Sequence, residues 1–278
     1  MKKKTVLLAL LSILVLSSLP VQAGQPGQQK SPASAKVLVI PGTGDSQVLL
    51  QKLALLYTKN RAIAVEIPES IGSGGGIRSV ITGKSEIARV ARPLTEKELA
   101  QGLKSQVFAQ SPVVFAVSPG VSGVANLTEA QIVGIYSGKI QQWDALGATG
   151  KIYVMNREDG DSSRMVLEKL LPGFKKISAL AGATVYSTPE ALQTLMASPN
   201  TIGYLPLSAT IGTGLTVLRV QEMAPTAANV REKKYPFVAP FALVWKEQLS
   251  PLAQSFLDFL ASPAAKRLML ENGVIPVE

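Results

Sequence analysis

The stretch KIYVMNREDGDSSR, residues 151–164, joins a strand, a polar turn and the start of a helix. The apolar residues at 151–155 predict the strand, and we expect the helix to begin at Arg164. A helix N-terminus presents unpaired N–H groups and a partial positive charge, so it suits an oxyanion. The turn also holds possible donors and a glycine that opens access to the backbone, namely Arg157, Ser162, Ser163 and Gly160. A capped helix start with solvated arginines is the alternative interpretation.

A second turn of this kind lies near the start of the chain. Residues 36–40 (KVLVI) predict a buried strand, and the leucines of residues 47–60 recur at helical spacing. Between them lies PGTGDS, where Thr43, Gly44 and Ser46 could surround an anion at the helix start. Asp45 or Ser46 is also a natural N-cap, which would explain the same residues without a ligand.

A third turn, SIGSGGG at residues 70–76, follows a predicted strand at 62–67 and precedes a predicted helix at 77–81. Its glycines can expose backbone N–H groups to a ligand, although glycine-rich turns are common. The nearby Gly83-Lys84-Ser85 does not form the phosphate-binding loop of an ATPase. That motif needs a glycine five residues earlier, where this chain has Arg78.

Strands and helices alternate along the chain, which is typical of an α/β protein with ligands at the carboxyl edge of its sheets. We predict further strands at residues 86–90, 112–117, 184–186, 201–206, 216–220 and 235–244, and helices at residues 95–100, 128–138, 164–171, 189–197, 251–260 and 263–270. We expect Trp143 to pack in the core beneath a loop.

Residues 1–23 have the features of a secretory signal peptide: three lysines, a short apolar run and a small-residue cleavage site. The apolar run is shorter than the ~18 residues of a membrane span, and no later stretch approaches that length. Residues 24–35 (GQPGQQKSPASA) are expected to form a disordered lead-in. Without cysteine the chain can form neither disulfides nor a thiol-linked lipid anchor, so we expect a periplasmic protein, with secretion as the alternative.

Charge and composition argue against several classes of function. Cleavage would remove three lysines and lower the formal net charge from +9 to +6. Dispersed basic residues and an aromatic content of 5% argue against nucleic-acid binding and favour a small anion. The chain has no histidine and no cysteine, so it lacks the commonest general base and a thiol nucleophile. We therefore expect a receptor without metal, cofactor or catalytic residue, although a hydrolase using a Ser–Lys pair or two carboxylates is formally possible.

Six segments, in order, resemble the periplasmic phosphate-binding proteins of ABC uptake systems, in the compact form of that family. They are SIGSGGGI (70–77), EIARVARPL (86–94), LTEAQIVGIYSGKIQQW (127–143), NREDGDSSR (156–164), IGYLP (202–206) and FLDFLASPA (256–264). The resemblance implies an α/β, two-lobed Venus-flytrap fold, each lobe a mixed sheet flanked by helices, with phosphate bound between the lobes. We place lobe 1 at residues 36–117 and 214–278 and lobe 2 at residues 118–213. We expect a monomer that delivers phosphate to an ABC permease in the inner membrane.

The resemblance also assigns residues to the ligand. It implies that Arg157 grips phosphate and is held by a nearby aspartate, Asp159, while Ser73 contacts phosphate from the glycine-rich turn. The predicted ligand-binding residues are Thr43, Gly44, Asp45, Ser46, Ser73, Gly74, Arg92, Arg157, Asp161, Ser162 and Ser163, with Asp159 and Arg89 behind them.

The chain departs from the family pattern at the residue that reads the phosphate proton. Larger members carry a carboxylate after the third strand that accepts this proton and excludes sulfate, but here the position is Ala91, between Arg89 and Arg92. Carboxylates occur instead at Asp45 and Asp161, where a hydroxyl residue is commoner. We expect one of them to have taken over this role, with helix capping as the alternative. Receptors for sulfate, molybdate or tungstate, and a phosphate scavenger or sensor without transport, are the alternative functions.

Overall fold

The computed structural model describes residues 36–277, so the predicted signal peptide and lead-in lie outside the described residues. The first elements are β1 (Lys36–Val39), α1 (Gln47–Thr58), β2 (Ile63–Glu66), α2 (Gly72–Ile81), β3 (Ile87–Val90), α3 (Glu96–Leu99), β4 (Lys104–Val117), β5 (Asn126–Leu127) and α4 (Glu129–Tyr136). The chain continues with β6 (Tyr153–Arg157), α5 (Ser162–Leu170), β7 (Ala183–Val185), α6 (Thr188–Ala197), β8 (Thr201–Pro206), β9 (Thr216–Val217) and β10 (Arg219–Val220). It ends with α7 (Ala227–Arg231), β11 (Val238–Trp245), α8 (Pro251–Leu260), α9 (Pro263–Glu271) and β12 (Ile275–Pro276).

The long strand β4 organises the main sheet, whose strands lie in the order β3-β11-β4-β8-β6-β7. Its first part, from Lys104 to Pro112, pairs antiparallel with β11, and its last part, from Val113 to Val117, pairs antiparallel with β8. β6 runs parallel to both β8 and β7, while β1 and β2 form a separate parallel pair. The result is a mixed α/β arrangement in which one strand crosses from one half of the molecule to the other.

Two large hydrophobic clusters lie towards opposite ends of this strand. One contains residues of β1, α1, β11, α8 and α9, among them Leu53, Phe241 and Phe256. The other contains Phe115, Tyr136, Trp143, Phe174 and Tyr204. Trp143 is fully buried and its indole N–H donates to the Asn200 carbonyl, as expected for a core residue.

The second cluster also includes Val220, Val230 and Phe237. These residues follow position 214, where we predicted that the chain returns to lobe 1. The helix α7 within this segment was not predicted from the sequence. It is short, and its Thr226 N-cap precedes only five helical residues.

Most predicted elements occur near their expected positions, and the differences have local causes. Residues 104–111 were not predicted as strand because this part of β4 is largely polar and exposed, and its partner β11 supplies the pairing. β1 is buried on one face only, because Val37 and Val39 are exposed. Capping boxes start two of the helices, formed by Thr95 and Glu98 at α3 and by Thr128 and Gln131 at α4. Within residues 36–277 no helix combines the length and apolar character needed to cross a membrane.

Candidate functional site

The three predicted turns meet at one cleft of about 450 Å³. Residues from the turn after β1, the start of α2 and the turn after β6 line it together. Among the lining residues are Thr43, Gly44, Ser73, Gly74, Arg92, Arg157, Asp159, Asp161 and Ser162. Asp45, Ser46 and Ser163 are buried behind this wall. The strand ends therefore bring together the segments that the sequence singled out.

The turn after β1 is packed tightly onto β3. Gly42 has φ +140°, and a Cβ added there would lie 2.0 Å from the Arg89 carbonyl oxygen, so only glycine fits. Ser46 occupies the N-cap position of α1, but its side chain makes no capping hydrogen bond. Its fully buried hydroxyl has no hydrogen-bond partner among the described residues. The capping interpretation of Ser46 is therefore wrong for its side chain, and the hydroxyl is left for another acceptor or donor.

Arg89 holds this turn from beneath and does not reach the cleft. Its guanidinium is fully buried and donates to the carbonyls of Thr43 (2.8 Å), Pro68 (2.7 Å) and Ile40. Burial lowers the pKa of Arg89 to about 10, so the group stays charged at neutral pH. Arg89 therefore lies behind the turn after β1, and its place behind the ligand contacts stays a prediction.

The glycine-rich segment is the first turn of α2 and not a loop in front of it. The helix begins at Gly72, five residues earlier than predicted, because its glycines allow close contact with the β1 turn. A Cβ at Gly76 would lie 2.9 Å from the Gly42 Cα. Ser73 lies in this turn, where its buried hydroxyl accepts from the Ala91 N–H (3.1 Å) and lies 2.9 Å from the Ser162 hydroxyl. This serine pair links the first and third turns of the site.

The helix α5 begins at Ser162, two residues earlier than predicted, with Asp161 as its N-cap. The Asp161 side chain accepts from the Arg164 N–H at 3.0 Å. Its other oxygen forms an ion pair of 2.5 Å with Arg157 Nη2. The prediction that Asp159 holds Arg157 is wrong. Asp159 has a side chain 92% exposed, 3.7 Å from Arg164, whereas the i,i+4 spacing places Asp161 on Arg157.

Arg157 is buried at the end of β6 and is fixed from several sides. Its N–H donates to the Asn156 side chain and to the Tyr204 hydroxyl, and its Nη1 donates to the Thr188 hydroxyl at 3.3 Å. Its Nε is buried and lacks a hydrogen-bond partner within residues 36–277. A buried guanidinium N–H without an acceptor is costly, so the position is suited to an anion that supplies one.

Asp45 is buried and accepts hydrogen bonds from two hydroxyl groups on the other side of the cleft. Ser163 donates to Oδ2 at 3.1 Å and Thr188 donates to Oδ1 at 2.6 Å. The Asp45 carboxylate thus lies close to Asp161. Burial raises the pKa of Asp161 to about 7, the Asp45 charge adds to this, and Arg157 opposes it.

Arg92 lies on the wall of the cleft but its guanidinium is already engaged. Both terminal nitrogens donate to Glu98, at 2.9 and 2.8 Å, and one also donates to the Pro93 carbonyl. The hydrogen bonds from Arg92 lower the pKa of Glu98 to about 2, so this ion pair persists through the neutral range. A direct contact of Arg92 with a ligand stays a prediction, while its positive charge does face the cleft.

The sequence did not indicate Thr188, Asn156 and Tyr204 as part of this site. Thr188 follows Ser187, the N-cap of α6, so a Ser-Thr-Pro helix start was the one available signal. Tyr204 lies on β8, where its hydroxyl donates to Asn156 at 2.8 Å. Nothing in the sequence distinguishes this tyrosine from an ordinary core residue, because its role depends on the pairing of β6 with β8.

Residues 22–264 match the family described as PBP superfamily domain. The chain belongs to this superfamily. The PBP match spans more than half of the sequence and includes all three turns of the cleft. It confirms the resemblance drawn from the six sequence segments.

Two phosphate-binding proteins named PstS are similar to this chain over most of its length. The protein from Borreliella burgdorferi strain B31 is 27% identical over 289 residues and is covered over its whole length, as is this chain. The protein from Bacillus subtilis strain 168 is 29% identical over 256 residues, which is 90% of this chain and 83% of that protein.

Solved structures of similar proteins support the same fold. A phosphate ABC transporter substrate-binding protein from Clostridium perfringens with bound phosphate matches with a TM-score of 0.79 and 26% identity, covering 87% of this chain and 100% of that one. A phosphate transport receptor from Vibrio cholerae matches with a TM-score of 0.64 and 25% identity, covering 86% and 99% of the two chains. The predicted α/β, two-lobed periplasmic-binding-protein fold is confirmed.

Proposed function

We propose that this protein is a receptor that binds inorganic phosphate in the cleft and delivers it to an ABC importer. The observation that carries the proposal is the buried Arg157, whose Nε has no protein acceptor in the described part of the chain. The Ser73–Ser162 pair supports it, because both serines line the cleft and their hydroxyls can donate to a tetrahedral oxyanion. The names of the PstS relatives and the phosphate in the Clostridium structure point to the same ligand.

The residues of the ligand set proposed from the sequence are suited to different roles. Thr43, Gly44, Ser73 and Arg157 are suited to direct contact because they line the cleft. Asp45 and Ser163 are suited to holding the other residues in place, since they are buried and bonded to each other. Arg92 also lines the cleft, but its ion pair with Glu98 offsets its charge, so its contact with the anion stays a prediction.

Asp161 is the better candidate for reading the proton of phosphate. It lines the cleft, whereas Asp45 is turned towards Ser163 and Thr188. In its ionised form the Asp161 carboxylate can accept a hydrogen bond from a protonated oxyanion such as hydrogen phosphate. A fully ionised dianion such as sulfate has no proton to share, so it would meet uncompensated negative charge.

Isothermal titration calorimetry with phosphate, sulfate and molybdate tests this proposal directly. We expect phosphate to bind and sulfate and molybdate to bind much more weakly. We expect Asp161→Asn to narrow the difference between phosphate and sulfate, since the repulsive carboxylate is removed. Unchanged selectivity in Asp161→Asn would remove this residue from the mechanism, and preferred binding of molybdate or sulfate would reassign the ligand.

The proposal extends to location and partner. Docking to a membrane permease requires an exported protein, which the features of residues 1–23 support. Incubation with a chromogenic phosphate ester tests the alternative of a hydrolase, because turnover would identify an enzyme. Phosphate uptake can also be compared between cells with and without the gene. If the protein binds phosphate but the loss of the gene leaves uptake unchanged, a scavenger or sensor is favoured.

A further inference from the structure

Thr188 joins two charged groups of opposite sign within the site. Its side chain is buried at the first position of α6, 2.6 Å from Asp45 Oδ1 and 3.3 Å from Arg157 Nη1. Asp45 belongs to the turn after β1, and Arg157 belongs to the end of β6. One hydroxyl therefore connects three separate elements of the chain.

The chemistry of a hydroxyl fixes the direction of these hydrogen bonds. A hydroxyl has one proton and can accept through its lone pairs. The carboxylate of Asp45 can only accept, so the Thr188 proton points to it and a lone pair faces the guanidinium. The short distance to Asp45 is that of a charge-assisted hydrogen bond.

This arrangement determines how Arg157 presents its remaining donors. Asp161 holds Nη2 on one side of the guanidinium and Thr188 holds Nη1 on the other. The plane of the group is then defined by two partners, and Nε is the donor without a protein acceptor in the described structure. We propose that Thr188 is a positioning residue that orients Arg157 for the oxyanion by tying it to Asp45. The inference rests on the proposed function for its ligand.

The backbone at Thr188 packs closely against the turn after β1. A Cβ at Gly44 would lie 3.1 Å from the Thr188 backbone nitrogen and 3.1 Å from the Ser70 hydroxyl, so the start of α6 lies directly against the turn after β1. Ser163, at the start of α5, donates to the second oxygen of Asp45. Asp45 thereby aligns the starts of two helices, and Thr188 is the member that also contacts the arginine.

The test is calorimetric titration of inorganic phosphate into the wild-type protein, Thr188→Val, Thr188→Ser and Thr194→Val. Valine keeps the shape of threonine but removes the hydroxyl, and serine restores the hydroxyl. Thr194 lies on the same helix outside the hydrogen-bonded network and serves as the matched control. We expect Thr188→Val to weaken phosphate binding by about tenfold or more. We expect Thr188→Ser and Thr194→Val to stay within about threefold of wild type.

Phosphate binding by a folded Thr188→Val within about threefold of wild type would overturn the inference. Equal weakening in Thr188→Val and Thr188→Ser would also overturn it, since the hydroxyl would then not be the cause. If valine prevents folding, Thr188→Ala is compared with Thr188→Ser under the same criteria.

A ligand-free measurement separates this inference from the proposed function. If the wild-type protein does not bind phosphate, the proposed function fails, and the connection from Thr188 to Asp45 is judged from unfolding alone. We expect Thr188→Val and Asp45→Asn each to lower the urea midpoint, and the double variant to lower it by less than the sum. Additive effects would contradict the connection.

Discussion

The site contains more negative charge around Arg157 than a simple anion receptor needs. Arg157 pairs directly with Asp161, and the Thr188 hydroxyl connects it to the buried Asp45. Burial raises the pKa of Asp161, and the nearby Asp45 charge raises it further, so protonation of Asp161 is favoured. We therefore expect proton binding by Asp161 and anion binding by Arg157 to influence each other.

The stability of the ligand-free protein should depend on pH through Asp161. The pKa of Asp161 is about 7 in the folded protein, against 3.8 for the ordinary carboxyl, so the folded state holds the proton more tightly. The stabilisation is complete at low pH and is lost as the pH rises from about 4 to about 7. We expect Asp161→Asn to lack this decrease in stability with rising pH. The unfolding free energy of Asp161→Asn relative to that of the wild type should therefore increase from about pH 4 to about pH 7.

Urea unfolding at a series of pH values measures this difference, and Glu98→Gln is a control of opposite sign. The pKa of Glu98 is lowered to about 2, so its contribution to stability is present above about 4.5 and is lost as the pH falls towards about 2. A constant difference between wild type and Asp161→Asn from pH 4 to pH 7 would contradict the assignment for Asp161.

The turns between strands and helices could be predicted from sequence, but the contacts between these turns could not. The patterns at residues 36–60 and 151–170 predicted strands, turns and helices near their observed positions. The helical start at Gly72 was missed because glycine favours a turn in the isolated sequence, while packing against Gly42 favours a close helix. The exchange of Asp159 for Asp161 has a similar cause, since the N-cap position depends on where α5 begins.

The turn after β1 should depend on Arg89 for its stability. Replacing this arginine by methionine removes the donors to three carbonyls, two of which, those of Ile40 and Thr43, are then buried without this partner. We expect Arg89→Met to lower the unfolding free energy by about 3 kcal/mol or more. Chemical denaturation measures the loss, and the exposed Arg267→Met is the matched control. Equal stability of the two variants would show that Arg89 does not hold the turn.

The sequence could predict a two-lobed architecture but not the place where the chain returns from lobe 2 to lobe 1. Residues 218–239 pack with the second hydrophobic cluster, because Leu218, Val230 and Tyr235 fill space beside β4. We therefore propose that the chain returns to lobe 1 along β11, later than position 214. Hydrophobic pattern alone could not show this, since the apolar residues on β11 contribute to both clusters.

Closure of the two lobes should depend on Arg157. Ser73 and Arg157 belong to different proposed lobes, and an anion that contacts both stabilises the closed arrangement over the open one. We expect phosphate to reduce the radius of gyration of the wild type in small-angle scattering and to leave Arg157→Ala unchanged. Arg157→Lys, which keeps the charge, controls for loss of folding. Compaction of Arg157→Ala by phosphate would contradict this role.

The most direct measurement is a crystal structure of the protein grown with inorganic phosphate. We predict one phosphate in the cleft that accepts hydrogen bonds from Arg157 Nε and from the Ser73 hydroxyl, with Asp161 beside one of its oxygens. A phosphate bound away from Arg157, or a cleft without phosphate at concentrations that saturate binding in solution, would contradict the account.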